Sequence, residues 1–207
     1  MNIINRIKEV AYSLTNYPYI PEEFIKEAVG PMLIHISDTP SDIYTYIYRV
    51  IEKVKPKYII HTGDLVDDIK LEILKGFKDE YYKNAKKLIK RLDASDAITY
   101  YALGNHDDHN IVTGLTDRGI VIEKATVEIE SLIFHLNHYH EDNNEDKDFY
   151  LFGHGFYPAH YNGTDFIGLN GLLNINIIDL STKKVYQLKY PIGTNRLRRM
   201  ELGRIGI

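Results

Sequence analysis

Five short segments of this sequence place metal-binding side chains directly after a run of apolar residues. These side chains are Asp38 in ISDTP, Asp64 and Asp67 in GDLVD, Asn105 and His106 in GNHD, His138 in LNHYH, and His154 in GHG. Carboxylates, an amide carbonyl and imidazoles form an oxygen and nitrogen donor set that suits Mn, Fe, Zn or Ni better than soft Cu(I). An aspartate after a strand is usually a cap or turn residue, so the ordered set indicates a site and no single member does.

The apolar runs before these segments predict strands, and helices join the first three of them. The strands lie at residues 33–37 and in KYIIHTGD and AITYYALGNHD, and helical patterns over residues 43–54 and 69–92 alternate with them. This alternation is typical of parallel strand pairing with helical crossovers. Loops at the carboxyl ends of parallel strands meet at one edge of a sheet, where such folds collect their functional residues.

Beyond residue 120 the pattern changes to short segments rich in β-branched and aromatic residues, separated by polar turns. The two halves together predict an α/β fold, an α+β sandwich of two packed mixed β-sheets flanked by helices. At 207 residues, with 44% hydrophobic residues, the chain is long enough for one sizeable core. We therefore expect one globular domain.

The predicted domain spans residues 31–190, and a segment of different character lies at each end. Residues 1–30 read as an amphipathic helical extension that packs on the core or pairs with a second copy of the chain in a homo-oligomer. Residues 191–207 form a basic tail. Guanidinium groups suit phosphate recognition, but a short basic tail is more often solvated or intersubunit. Its arginines are Arg196, Arg198, Arg199 and Arg204.

Charge and composition narrow the classes of function. The net charge is −4 and the pI is near 6.1, so no global positive field favours nucleic acid as a partner. No run approaches the roughly 20 apolar residues that span a bilayer, so no membrane role is expected. The absence of cysteine excludes disulfides and thiolate metal ligands and fits a reducing compartment. We expect a cytoplasmic protein.

The series SDTP, GDLVD, GNHD, LNHYH and GHGF resembles the calcineurin-like metallophosphoesterase family, whose signature is DxH, GDxxD, GNHD or GNHE, a lone His, and GHxH. The resemblance covers residues 33 to about 180. It implies a two-sheet sandwich with flanking helices in four layers, and two divalent metals bridged by a carboxylate. It also implies hydrolysis of a phosphomonoester or phosphodiester by a metal-bound hydroxide.

The sequence departs from that signature at two metal-ligand positions. Pro40 stands where the family has the histidine of DxH, and Phe156 stands where it has the second histidine of GHxH. Neither side chain can coordinate a metal. In the family pattern both missing imidazoles serve the same metal. The resemblance therefore implies one weakened site, which keeps Asp38 and Asp64, beside one complete site.

The complete site would consist of the bridging Asp64 with Asn105, His138 and His154, so that one or two ions bind. A loop residue could complete the weakened site, and the candidates are His109, His160 and Asp165. The resemblance further implies that His106 is the general acid at the leaving group. Asp67 would hold the His106 imidazole in the useful tautomer.

Three further histidines, His35, His61 and His135, each lie three residues before a presumed ligand on its strand. An odd offset along a strand directs a side chain to the opposite face. We expect hydrogen-bonded core histidines there, and the alternative is a second site on the far face.

Three functions follow from these observations. The first is a hydrolase acting on a phosphorylated small molecule or a nucleotide-like substrate. The second is a catalytically impaired member of the family, a metal-stabilised scaffold that binds a partner protein. The third is a nuclease, which the arginine tail favours and the acidic balance disfavours.

Overall fold

Two mixed β-sheets form the centre of the molecule. This computed structural model describes residue 12, residues 15–142 and residues 146–199. The first sheet has the order β11-β10-β1-β2-β3-β4, and its strands are β1 (Met32–Ile36), β2 (Tyr58–His61), β3 (Ile98–Ala102), β4 (Ile120–Ile122), β10 (Ile175–Asp179) and β11 (Val185–Leu188). The second sheet has the order β5-β6-β7-β9-β8, and its strands are β5 (Ala125–Ile129), β6 (Leu132–Leu136), β7 (Phe149–Phe152), β8 (Tyr161–Asn162) and β9 (Ile167–Asn170).

Parallel pairing brings the carboxyl ends of the key strands to one edge of each sheet. Strands β1, β2, β3 and β4 pair in parallel in the first sheet, as do β6, β7 and β9 in the second. The remaining pairs are antiparallel, so both sheets are mixed. The predicted sandwich of mixed sheets is confirmed.

Helices precede, connect and follow the strands of the two sheets. They are α1 (Glu22–Glu27), α2 (Tyr44–Val54), α3 (Lys78–Asp93), α4 (His109–Leu115) and α5 (Thr194–Leu197). Helix α2 buries Ile47, Val50, Ile51 and Val54 on one face, the spacing of an amphipathic helix. It ends at Lys55, which takes a left-handed conformation before Pro56.

Two hydrophobic cores hold the layers together. Alternation along a strand directs Ile34 into a core shared by the first sheet and the helices, and Leu33 into a core shared by the two sheets. In the second core, Phe134 and Phe149 of the second sheet stack with ring centroids 5.0 Å apart. The helices that contribute to a core lie against the first sheet. Aromatic side chains and loops lie on the outer face of the second sheet, where His140 stacks on Tyr150.

The segment after β2 differs from its prediction. A helix was expected over residues 69–92, but α3 begins at Lys78, and residues 69–77 form turns and a short 3₁₀ segment. Gly76 disfavours a continuous helix there, and the apolar Ile73 and Phe77 side chains are exposed rather than packed. The loop that results carries two polar side chains, Lys70 and Glu72, to the edge where the ligands gather.

The two ends of the chain are described in part. Most of the predicted N-terminal amphipathic helix, residues 1–11, 13 and 14, lies outside the described residues. Helix α1 packs on the core through Phe24, whose ring meets that of Tyr186 edge-on at 5.3 Å. Among the described residues, no helix combines the length and the apolar character that crossing a bilayer requires.

Candidate metal centre

Four predicted ligands converge on one point between the two sheets. His138 Nε2 lies 3.1 Å from His154 Nδ1, 3.2 Å from Asn105 Oδ1 and 3.5 Å from Asp64 Oδ2. Asp64 and Asn105 follow β2 and β3 of the first sheet, whereas His138 and His154 follow β6 and β7 of the second. The expectation that the carboxyl ends gather these residues matches the geometry.

The hydrogen bonds around this point direct lone pairs inward. The Nδ1–H of His138 donates to the Thr62 carbonyl oxygen at 2.7 Å, which turns Nε2 toward Asp64, Asn105 and His154. The Asn105 amide nitrogen donates to Glu72 Oε2 at 2.6 Å, so its carbonyl oxygen faces His138. Acceptors that point at one another repel unless a cation lies between them. The donor set of Asp64, Asn105, His138 and His154 therefore fits a divalent metal.

Backbone conformation brings the ligand loops together at the edge of the strands. Asp38, Asp64 and His154 all adopt left-handed conformations, with φ of 52°, 55° and 66°, which cost about 1–2 kcal/mol each in a residue with a side chain. Such strain persists where surrounding contacts fix it, and it is common at functional sites. A Cβ on Gly104 would lie 2.3 Å from Asp64 Oδ1, so the glycine of GNHD lets the two loops approach.

Asp107, which the sequence analysis did not assign, ties these loops to one another. Its carboxylate accepts hydrogen bonds from the backbone N–H groups of Asp64, Leu65 and Gly104 at 2.8, 2.8 and 2.9 Å. It also accepts one from the Tyr81 hydroxyl of α3 at 2.8 Å. Its place as the last residue of GNHD is the signal by which it could have been found.

A second group of acidic side chains lies beside the four ligands. Oxygen atoms of Asp38, Asp64 and Asp67 all lie within 4.8 Å of one another, and all three side chains are buried. Burial raises the pKa of Asp64, and the charges of Asp38 and Asp107 raise it further. Burial raises the pKa of Asp67 as well, together with the charges of Asp38 and Asp64. We call Asp38, Asp64 and Asp67 the acidic cluster.

The expected pairing of Asp67 with His106 is wrong in this structure. Asp67 Oδ1 accepts a close hydrogen bond from Lys70 Nζ, and Asp67 Oδ2 has no hydrogen-bond partner among the residues that the structure describes. The carboxylate described in contact with the His106 ring is that of Glu72, with Oε2 3.9 Å from His106 Nδ1. The sequence pattern missed this because Lys70 and Glu72 lie in the segment that was predicted as helix.

His106 lies at the edge of the centre in a mostly buried position. Its backbone N–H donates to Asp64 Oδ1 at 3.0 Å, which places His106 beside the Asp64 carboxylate. Burial and the Lys70 charge lower the pKa of His106 to about 4, against the opposing effect of Glu72. The imidazole is therefore neutral near pH 7 in the absence of substrate.

Arg198 stabilises the loop after β1, which carries Asp38. The side chain is almost completely buried, and its Nε donates to the Asp38 carbonyl oxygen at 2.7 Å. One of its terminal nitrogens donates to the Leu172 carbonyl oxygen at 2.7 Å, and the guanidinium lies 4.5 Å from the Tyr190 ring centroid. The expectation of a solvated basic tail is therefore wrong for Arg198, because its long side chain reaches back under the β1 loop.

The candidates for completing the weakened site are not brought to it. His160 bonds Asn174 Oδ1 at 3.0 Å and accepts from the Asn170 backbone at 3.1 Å. His109 is exposed at the start of α4, and Asp165 is exposed in the loop before β9. Pro40 is buried after the β1 loop, and Phe156 is 37% exposed. Among the described residues, the groups that could hold a metal are the acidic cluster and the set of Asp64, His138 and His154.

The three histidines at odd offsets are core residues, as expected. Each bonds a threonine hydroxyl at 2.9 Å: His35 with Thr62, His61 with Thr39, and His135 with Thr126. All three rings are buried. Within the described part of the chain, none of them belongs to a group that could hold a metal.

Comparisons with known proteins bear on the family and the fold. A sequence profile of the calcineurin-like phosphoesterase family matches residues 32–199. A solved archaeal phosphodiesterase aligns with a TM-score of 0.57 at 18% identity, over 76% of this chain and 99% of that one. The E. coli phosphoesterase Yfce aligns with a TM-score of 0.51 at 12% identity, over 77% of this chain and 99% of that one. No curated protein matches the chain in sequence. At these identities, the two structures support the fold.

Proposed function

We propose that this chain, which belongs to the calcineurin-like phosphoesterase family, hydrolyses a phosphomonoester or phosphodiester at a centre that holds one divalent metal ion. The observation that carries the proposal is the convergence of Asn105 Oδ1, His154 Nδ1 and Asp64 Oδ2 on His138 Nε2. These side chains would hold Mn, Fe, Zn or Ni. A metal in that set supplies a Lewis acid for a phosphoryl oxygen and lowers the pKa of a coordinated water.

The chain's own residues supply orientation and proton transfer. Thr62 fixes the His138 tautomer and Glu72 fixes the Asn105 amide, so both ligands are oriented before a metal or substrate arrives. In this proposal His106 donates a proton to the leaving oxygen. A bound phosphate brings negative charge beside His106 and so raises its pKa from about 4 towards neutrality.

A phosphorylated small molecule or a nucleotide-like molecule is the proposed substrate. Tyr139, which is 41% exposed, lies with its ring centroid 4.4 Å from that of His154. An exposed aromatic face next to the phosphoryl position suits stacking of a nucleobase or another flat group. The net charge of −4 supports a small substrate over a long polyanion.

Hydrolysis of p-nitrophenyl phosphate and bis-p-nitrophenyl phosphate by the purified protein tests the proposal, with each of the four metals in turn. Asp64→Asn and His138→Ala should each reduce turnover by about two orders of magnitude or more. His109→Ala is the matched control, because His109 is exposed and lies outside the centre, and its turnover should be unchanged.

Two results would contradict the hydrolase. One is wild-type protein that hydrolyses neither ester with any of the four metals, and the other is hydrolysis that survives Asp64→Asn. Metal binding without hydrolysis would favour the scaffold alternative, in which the ion stabilises the fold and a partner protein binds.

A further inference from the structure

The loop between β2 and α3 buries a lysine inside the phosphoesterase centre. Lys70 is 6% exposed, and its Nζ forms a close ion pair with Asp67, whose side chain is fully buried. A lysine is rarely buried to this degree unless a negative group pairs with it. Its position three residues after Asp67 brings the ammonium back onto that carboxylate.

The acidic cluster needs a positive charge. Three buried carboxylates with oxygen atoms within 4.8 Å of one another cannot all be ionised without a cation. In this chain Pro40 and Phe156 stand at the positions where imidazoles would help to hold a second metal. What remains on that side of Asp64 is a set of carboxylates with Lys70 beside it.

We propose that the Lys70 ammonium is the resident cation of the acidic cluster and takes the place of a second metal ion. The proposal rests on the single-metal centre of the proposed function and adds the group that compensates for the lost site. The Lys70 charge opposes the effect of burial on the pKa of Asp64 and of Asp67, as a second metal would do more strongly.

The presence of the Lys70 ammonium in place of a second metal ion affects how the substrate binds. An ammonium has three N–H donors, and within the described residues Lys70 gives one of them to Asp67 and makes no other hydrogen bond. Two donors are therefore available for a non-bridging phosphoryl oxygen. The Lys70 ammonium carries one positive charge, whereas a second metal ion would carry two. The ammonium therefore binds one such oxygen as a point charge and does not act as a second Lewis acid.

Counting bound metal in Lys70→Met tests this inference without any assay of hydrolysis. Methionine keeps an unbranched side chain and removes the charge, which leaves the three carboxylates free to bind a cation. After equilibration with Mn²⁺ and removal of free metal, elemental analysis should give one more ion per chain for Lys70→Met than for the wild type. Lys70→Arg keeps the charge and should give the wild-type count.

Lys90→Met is the matched control. Lys90 also forms an ion pair with an aspartate, Asp117 at 2.6 Å, but on the exposed surface. Lys90→Met removes one lysine charge and leaves the acidic cluster unchanged. The variant should therefore bind as many ions per chain as the wild type.

An unchanged count in a folded Lys70→Met protein overturns the inference, and so does a wild-type count of two ions per chain. If Lys70→Met does not fold, the wild-type count under millimolar Mn²⁺ decides between one ion, which supports the inference, and two, which overturn it. A wild-type count of zero would instead contradict the single-metal centre, and a gain of one ion in Lys70→Met would still support the role of Lys70.

Discussion

Arg198 Nε donates a hydrogen bond to the backbone carbonyl of Asp38 at 2.7 Å, although 160 residues separate them along the chain. The same guanidinium donates to Leu172 and lies over the Tyr190 ring. One buried side chain from the end of the domain therefore fixes the loop that carries the first acidic residue.

Arg198→Met should destabilise the protein by about 3 kcal/mol or more. The substitution leaves the carbonyl oxygens of Asp38 and Leu172 buried without these donors, and each such loss costs about 1–3 kcal/mol. Urea unfolding measures the change. Arg196→Met removes an exposed arginine of the same segment and should change stability by about 0.5 kcal/mol or less. Equal stability of the two variants would exclude a structural role for Arg198.

His106→Ala should reduce turnover by about a hundredfold on substrates with poor leaving groups, because the alkoxide then leaves without a proton. On p-nitrophenyl esters the loss should be smaller, because p-nitrophenolate needs no proton to leave. The measurement is kcat for alkyl and p-nitrophenyl esters with the wild type and the variant. Equal losses on both classes would show that His106 positions the substrate and does not protonate it.

Glu72→Gln offers a companion to that experiment. Glu72 raises the pKa of His106 by its charge and also holds the Asn105 amide. The glutamine keeps an oxygen that can accept from Asn105 and loses the charge, so its loss of turnover should be smaller than that of His106→Ala. A larger loss would indicate that orientation of Asn105 dominates.

Acid should destabilise the protein through its buried histidines. Burial lowers the pKa of His61 to about 3, and burial with the charges of His160 and His61 lowers that of His35 well below its usual value. An unfolded histidine has a pKa near 6.5. Below that pH the unfolded chain therefore binds protons that the folded chain does not, and stability falls with pH by about 1.4 kcal/mol per unit for each such histidine.

Unfolding free energies of wild type and His61→Gln between pH 7 and pH 4 measure this effect. The unfolding free energy of the variant should fall less steeply with decreasing pH than that of the wild type, by the amount that one histidine contributes. His109→Gln, at an exposed position, should keep the wild-type slope. A His61→Gln slope equal to that of the wild type would show that His61 is protonated in the folded protein.

The sequence predicted the parts of the centre that local patterns encode. Alternating apolar residues located the strands, and the predicted parallel pairing placed Asp64 and Asn105 at neighbouring carboxyl ends. The resemblance to the family added His138 and His154 to the same set. The motif pattern also indicated that Pro40 and Phe156 leave one metal position incomplete. The odd strand offset of His35 and His61 correctly separated core histidines from candidate ligands.

Those local patterns did not predict the long-range contacts. Lys70 and Glu72 lie in a segment whose apolar spacing fits a helix, but turns replace the helix before Gly76. Arg198 lies in a segment with the composition of a surface tail, and its burial depends on contacts with the distant Asp38 and Leu172. Asp67 pairs with Lys70 rather than with His106. Both residues are neighbours of Asp67 in the folded chain, and motif spacing does not predict which of them pairs with it.

The centre draws two ligands from each sheet, Asp64 and Asn105 from the first, His138 and His154 from the second. An ion held there would be a cross-link between the two halves of the sandwich, closing a loop of chain from residue 64 to residue 154. In a protein without cysteine, coordination bonds then act as a disulfide does in a secreted domain. Binding of an ion to these four side chains would therefore stabilise the folded chain whether or not it supported catalysis.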